Sequence, residues 1–129
     1  MLSIGVDIGG TKVAAGVVDE DGEILRHLVR PTPSRSPEAV ENAIVEVVDS
    51  LSDGLPVKSA GIGAAGWVDT EQALVRFSPH LAWRNEPLRD RLSERIDLPV
   101  IVDNDANAAA WAEYEFGAGR DSRVMTCIT

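Results

Sequence analysis

Three apolar, alternating stretches follow one another within the first thirty residues, and the joins between them are too short for parallel strands. They are LSIGVDI (2–8), VAAGVVD (13–19) and EILRHLVR (23–30), joined by GGTK (9–12) and DEDG (19–22). A parallel crossover takes a dozen or more residues, whereas an antiparallel pair closes through a short hairpin. The chain therefore begins as a three-stranded antiparallel meander.

The rest of the chain alternates strands and helices. Prolines and serines make PTPSRSP (31–37) a loop. Ser36 suits the N-cap of a following helix and Pro37 its first position. Val40, Ala43, Ile44, Val47, Val48 and Leu51 then form one apolar helical face, and Gly54 can close the helix in a left-handed conformation. KSAGIGA (58–64) reads as a buried strand, followed by the small-residue turn AAG (64–66) and WVD (67–69). ALVRFS (73–78) reads as a strand, PHLAWRNE (79–86) as a loop and PLRDRLSERI (87–96) as a helix, with RDRLSER (89–95) its solvated face. LPVIVDN (98–104) reads as a buried parallel strand, ANAAAWAEYEF (106–116) as a helix and GAGRDS (117–122) as a loop. RVMTCIT (123–129) has the β-branched look of a strand but stops without a turn or a polar tail, so more chain is expected beyond Thr129. The pattern predicts an α/β fold in which one mixed sheet carries helices packed on it.

Charge and cysteine content narrow the partners. A net charge of −9 and a pI of about 4.6 disfavour nucleic acid and anionic membranes. No signal peptide and no membrane-spanning run is apparent, so the expected location is the cytoplasm. Cys127 is the single cysteine, which leaves no internal disulfide and no CxxC metal site. It reads as a buried apolar residue in a strand.

Three segments can carry chemistry, and each has a plainer alternative. In DIGGTK (7–12), Gly9 and Gly10 can turn the backbone with positive φ and approach a ligand closely. Their N–H groups, the Thr11 hydroxyl and the Lys12 ammonium suit terminal phosphates, and Asp7 can hold Mg²⁺. A hairpin turn with a surface lysine explains the same residues. The spacing is not that of a Walker A loop, and a strand rather than a helix follows. In VDNDANAAAWAE (102–113), Asn104 or Asp105 can cap a helix. Two acids and an amide exceed the needs of one cap, and they suit a polyhydroxylated ligand. Asp105 can then be a general base, since helix N–H dipoles favour a carboxylate there. In GIGAAGWVD (61–69), small residues allow either close approach of another group or tight packing. Trp67, Trp83 and Trp111 can stack on a sugar ring, although core or edge packing is the plainer reading. His80 reads as solvated or locally bonded, and His27 has no partner acid in sight.

These three motifs, in this order and spacing along essentially the whole chain, resemble the ROK family (repressors, open reading frames and sugar kinases), and most of all its bacterial glucokinases. The resemblance implies an actin-like, ribonuclease-H-like fold of two lobes around a cleft, with residues 1–129 as the N-terminal lobe. Asp7, Gly9, Gly10, Thr11 and Lys12 match the family's first phosphate loop. Asn104 and Asp105 match its sugar-binding pair, Asp105 also matches its catalytic aspartate, and Gly66 falls in the loop lining the sugar site.

The implied activity is ATP-dependent phosphorylation of glucose or a related hexose at the 6-hydroxyl, with ATP and Mg²⁺, in a homodimer or homotetramer. The family's second glycine-rich loop, its later Glu and His sugar ligands and its cysteine-rich zinc motif do not occur in these residues. This fragment alone is therefore expected to be inactive. N-acetylmannosamine, fructose and polyphosphate-dependent glucose kinases are near alternatives. The loop SPHLAW (78–83) carries His80 where many relatives are expected to have Asn, which bears on the sugar preference. A sugar-sensing regulator of the family is less expected, because the first strand begins at residue 2 and leaves no room for a DNA-binding segment before it. An actin-like ATPase of another kind would not need the DND constellation.

Overall fold

The computed structural model describes residues 1–33, 36–69, 75–77 and 84–126. The expectations for His80, Trp83 and Cys127, and for the loop 78–83, fall outside these residues.

The opening meander forms as the sequence predicts. Strands β1 (Leu2–Ile8), β2 (Lys12–Val18) and β3 (Ile24–Pro31) pair antiparallel in sequence. Helix α1 (Pro37–Ser52) follows, its N-terminus capped by the Ser36 side chain, which accepts from the Ala39 N–H at 3.4 Å. Gly54 lies just past its C-terminus with φ of 73°, the left-handed conformation that glycine adopts without strain. Arg26 of β3 donates to the Leu51 and Asp53 carbonyls at 3.3 and 2.7 Å, which satisfies helix-end groups and ties the edge strand to α1.

Strand β4 (Val57–Ala64) returns parallel to β1. β5 (Trp67–Val68), β6 (Val75–Phe77) and β7 (Arg84–Glu86) make a small separate sheet in that order. Helix α2 (Leu88–Arg95), strand β8 (Val100–Asn104) and helix α3 (Asp105–Phe116) complete the described elements. The main sheet has the order β3-β2-β1-β4-β8, with β8 parallel to β4.

One face of this sheet is the core. Ile4, Val6 and Ile8 of β1, Val13 and Val17 of β2, Ile62 of β4 and Val102 of β8 are buried with Ile44, Val47 and Val48 of α1 and Leu88 and Leu92 of α2. Residues at alternate positions point to the opposite face, where Gly5, Asp7, Gly61, Gly63 and Asp103 line an open groove of about 1040 Å³ beside α3. The exposed side chains of Val29, Ile101 and Trp111 border the same groove.

Two expectations are corrected and a third is narrowed. Residues 84–86, read as loop, form β7, whose Arg84 and Glu86 pair with Phe77 and Val75. RNE has no apolar alternation, and its pairing partner supplies the strand instead. Residues 123–126, read as the start of a strand, have no regular secondary structure and pair with no described strand. Of the core or edge packing read for Trp111, the structure excludes the core. Trp111 is 61% exposed and meets Phe116 edge-on, with ring centroids 6.2 Å apart.

A buried carboxyl interrupts the core face of α1. Glu41 is 3% exposed and lies on the same helical face as Ile44 and Val48. Arg91 of α2 approaches Glu41 at 3.9 Å and Glu86 of β7 at 3.1 Å. Burial first, then the hydrogen-bonded and negatively charged Glu86 carboxyl, push Glu41 from 4.5 up to about 7, against the pull of Arg91 and Arg95. The folded chain thus keeps a proton that the unfolded chain releases at lower pH. Stability should fall as pH rises from about 4.5 to about 7, by up to about 3 kcal/mol, and level off above that. Glu41→Gln should flatten this slope in denaturant unfolding series; a slope equal to wild type would locate the proton elsewhere.

Candidate functional site

Strand pairing decides which side chains meet. Asp7 of β1 lies opposite Gly63 of β4, and Gly63 lies opposite Asp103 of β8. Paired residues share a face, so this row projects on the side opposite α1. All three strands are mutually parallel and end together, and ligands in α/β sheets bind outside such carboxyl ends.

The end of β8 passes directly into α3, and Asn104 is the hinge of that passage. Its Oδ1 accepts from the N–H groups of Ala106 and Asn107 at 2.9 and 3.1 Å, an N-cap. Its Nδ2 donates to the Gly66 carbonyl at 2.6 Å. The capping role therefore accounts for most of the Asn104 amide, and one Nδ2 hydrogen remains for a ligand. Asp103 Oδ1 accepts from the Asn104 N–H at 2.7 Å and faces the Asn107 amide at 3.4 Å.

Asp105 begins α3 and sits over Gly63. A Cβ built on Gly63 would lie 3.5 Å from the Asp105 Cα and 3.8 Å from its Cβ. These are ordinary contact distances, so the start of α3 rests directly on the sheet at Gly63. The Asp105 Oδ1 accepts from the Ala106 N–H at 2.8 Å. Of the two readings offered by the small-residue sequence, the structure shows the packing one, with α3 over Gly63, while the buried Gly66 anchors Asn104 through its carbonyl.

Asp7 and Asp105 converge in this way. Burial first, and then the Asp105 charge, raise the Asp7 carboxyl above its ordinary 3.8; Lys12 pulls the other way. Both carboxylates line the groove beside α3. Among the described residues no three His, Cys, Asp or Glu side chains cluster as a metal cage. A partly desolvated carboxylate such as Asp7 has the oxygen donors that suit Mg²⁺, which keeps several waters of its own.

The loop between β1 and β2 differs from expectation in its backbone. The positive-φ glycines among the described residues are Gly22 and Gly54, so neither Gly9 nor Gly10 turns by that route. The Gly9 N–H donates to the Lys12 carbonyl at 3.0 Å, which closes a hairpin and removes that N–H from a phosphate cradle. The loop is held from outside by Thr32, just past β3. Thr32 Oγ1 donates to the Gly9 carbonyl at 2.8 Å, and the Thr32 N–H donates to the Thr11 carbonyl at 3.0 Å. The sequence alone places Thr32 in a loop and gives no hint of this contact.

Residues 3–129 match the model of the ROK family. The chain belongs to the ROK family. Over 128 residues it is 52% identical to a glucokinase of Streptomyces coelicolor, covering 99% of this chain and 40% of that protein. It is 42% identical over 128 residues to a glucokinase of Thermotoga maritima, covering 98% and 40%. The chain thus spans 40% of the length of these curated relatives. Among solved structures it superposes on a ROK family glucokinase from Streptomyces griseus in complex with glucose and AMPPNP. That match has a TM-score of 0.91 and 55% identity over 94% of this chain and 38% of that one. The mixed sheet with its helices is accordingly the α/β, actin-like fold of ROK sugar kinases.

Asn104→Ala removes both the α3 cap and the tie to Gly66. It should cost about 1–3 kcal/mol in denaturant unfolding. A loss below about 0.5 kcal/mol would mean that neither bond contributes to holding β8 and α3 in place.

Proposed function

We propose that residues 1–129 are the N-terminal lobe of an ATP-dependent hexose 6-kinase, a glucokinase. The observation that carries the reading is the convergence of Asp105 with the Asp7–Lys12 segment at the shared ends of β1, β4 and β8. The glucokinase relatives support it, and the complex of one of them with glucose and AMPPNP supports the pair of substrates.

In this reading Gly10, Thr11 and Lys12 hold the nucleotide phosphates, and Gly9 lets them come close. Asp7 would hold Mg²⁺, which supplies charge neutralisation at the phosphates when bound. Gly66 and Asn104 shape the sugar pocket, and Asp105 takes the proton of the 6-hydroxyl. The hydroxyl oxygen forms its bond to the γ-phosphorus as the bond from that phosphorus to the bridging oxygen of ADP breaks. The proton remains on the Asp105 carboxyl until solvent removes it.

A general base contributes about 10²–10⁴-fold. Most of the remainder comes from holding both substrates in line, worth roughly 7–11 kcal/mol, and from stabilising phosphate charge. That requires a second wall to the cleft, so residues 1–129 alone should show little or no turnover. Among the described residues no helix is long and apolar enough to cross a membrane.

The test is a coupled ADP assay on the full-length protein with glucose, N-acetylmannosamine, fructose and mannose, using ATP and polyphosphate as donors. Glucose with ATP should give the highest kcat/KM; ATP hydrolysis indifferent to sugar would overturn the reading. Asp105→Asn should lower kcat by about 10²-fold or more while sugar binding, read by calorimetry, largely survives. A near-normal kcat in that variant would remove Asp105 from the base role.

A further inference from the structure

The residues on either side of Thr32 make it an unusual anchor. Pro31 and Pro33 flank it, and proline has no N–H. Thr32 therefore carries the one backbone donor of the PTP triplet, and that donor goes to the Thr11 carbonyl at 3.0 Å. Its hydroxyl goes to the Gly9 carbonyl at 2.8 Å. Pro33 also disfavours helical backbone at Thr32 and keeps the chain extended beside the hairpin. Two carbonyls of a three-residue connection are thus fixed by one residue just past the end of β3.

Fixing a carbonyl fixes the N–H of the same peptide plane. The Gly9–Gly10 peptide is planar and trans, so its C=O and N–H point in opposite directions. With the Gly9 carbonyl held by the Thr32 hydroxyl, the Gly10 N–H is aimed away from Thr32, and it has no hydrogen bond within the described residues. The Thr11–Lys12 peptide is fixed in the same manner by the Thr32 N–H. Gly9 and Gly10 do not use left-handed backbone to set the loop, which leaves this pair of contacts and the Gly9–Lys12 hairpin bond to do so.

We infer that Thr32 is a positioning residue for nucleotide binding: through its two bonds to Gly9 and Thr11 it aims the Gly10 N–H and orients the loop toward the phosphates of ATP. This rests on the kinase reading given above. Thr32 touches no phosphate itself. Its hydroxyl sets the angle of a peptide that does, so losing it should weaken the nucleotide and spare the sugar.

The experiment compares full-length wild type with Thr32→Val and Thr32→Ser. Valine keeps the shape and the backbone donor but removes the hydroxyl; serine keeps the hydroxyl. ADP affinity is read by calorimetry, and KM is measured separately for ATP and for glucose. Thr32→Val should weaken ADP binding and raise KM for ATP by about tenfold, with KM for glucose within about twofold of wild type. Thr32→Ser should return ADP affinity to within about threefold of wild type. Thr32→Ala carries the same expectation as Thr32→Val should the valine variant not fold. Unchanged ADP affinity in the hydroxyl-less variant, or equal losses for ADP and glucose, would overturn the inference while leaving the kinase reading intact. A wild-type protein that neither binds ADP nor phosphorylates a hexose would overturn both.

Discussion

The in-register parallel pairing of β1, β4 and β8 is the constraint on which the site depends. It sets Asp7, Gly63 and Asp103 in one row across the sheet and Ile8, Ala64 and Asn104 in the next. Side chains alternate between faces, so a slip of one residue in β1 or β8 would turn its acid into the core. The buried set Ile4, Val6, Ile8, Ile62 and Val102 prevents that slip, because it is satisfied in one register only. Packing against α1 and α2 on one face thus fixes the position of chemistry on the other.

Within that frame, much of the polar chemistry holds structure together. Asn104 spends its oxygen on the start of α3 and an N–H on Gly66. The Gly9 N–H closes a hairpin, and its carbonyl takes the Thr32 hydroxyl. These bonds leave Asp105 on the sheet over Gly63, with the Lys12 charge acting on the Asp7 carboxyl beside it. A site of this kind is built by positioning, which suits phosphoryl transfer, where most of the rate comes from alignment and charge.

The sequence made the frame legible because local rules and tertiary needs agree there. The short joins GGTK and DEDG demand a meander, Ser36 and Pro37 start α1, and VIVDN is apolar enough for a strand covered on its core face. The sequence failed where a tertiary partner decides. RNE becomes a strand because β6 is beside it, whereas residues 123–126 pair with no described strand. Trp111 looks like a core residue by type, yet α3 buries none of its described side chains and leaves the indole exposed at the groove. Glu41 sits on the apolar face of α1, where Arg91 approaches it and burial beside Glu86 pushes its carboxyl up to about 7. Thr32 escaped notice because its two partners lie more than twenty residues away in the chain.

The convergence of Asp7 and Asp105 is the central structural claim, and a carbon-detected NMR titration of the Asp7 carboxyl tests it most directly. Asp7 should titrate above 3.8 in wild type and lower in Asp105→Asn, because that variant removes one of the two causes of the rise and leaves burial in place. An Asp7 that titrates at its ordinary value, or one unmoved by the loss of the Asp105 charge, would mean that the two carboxylates do not share a site.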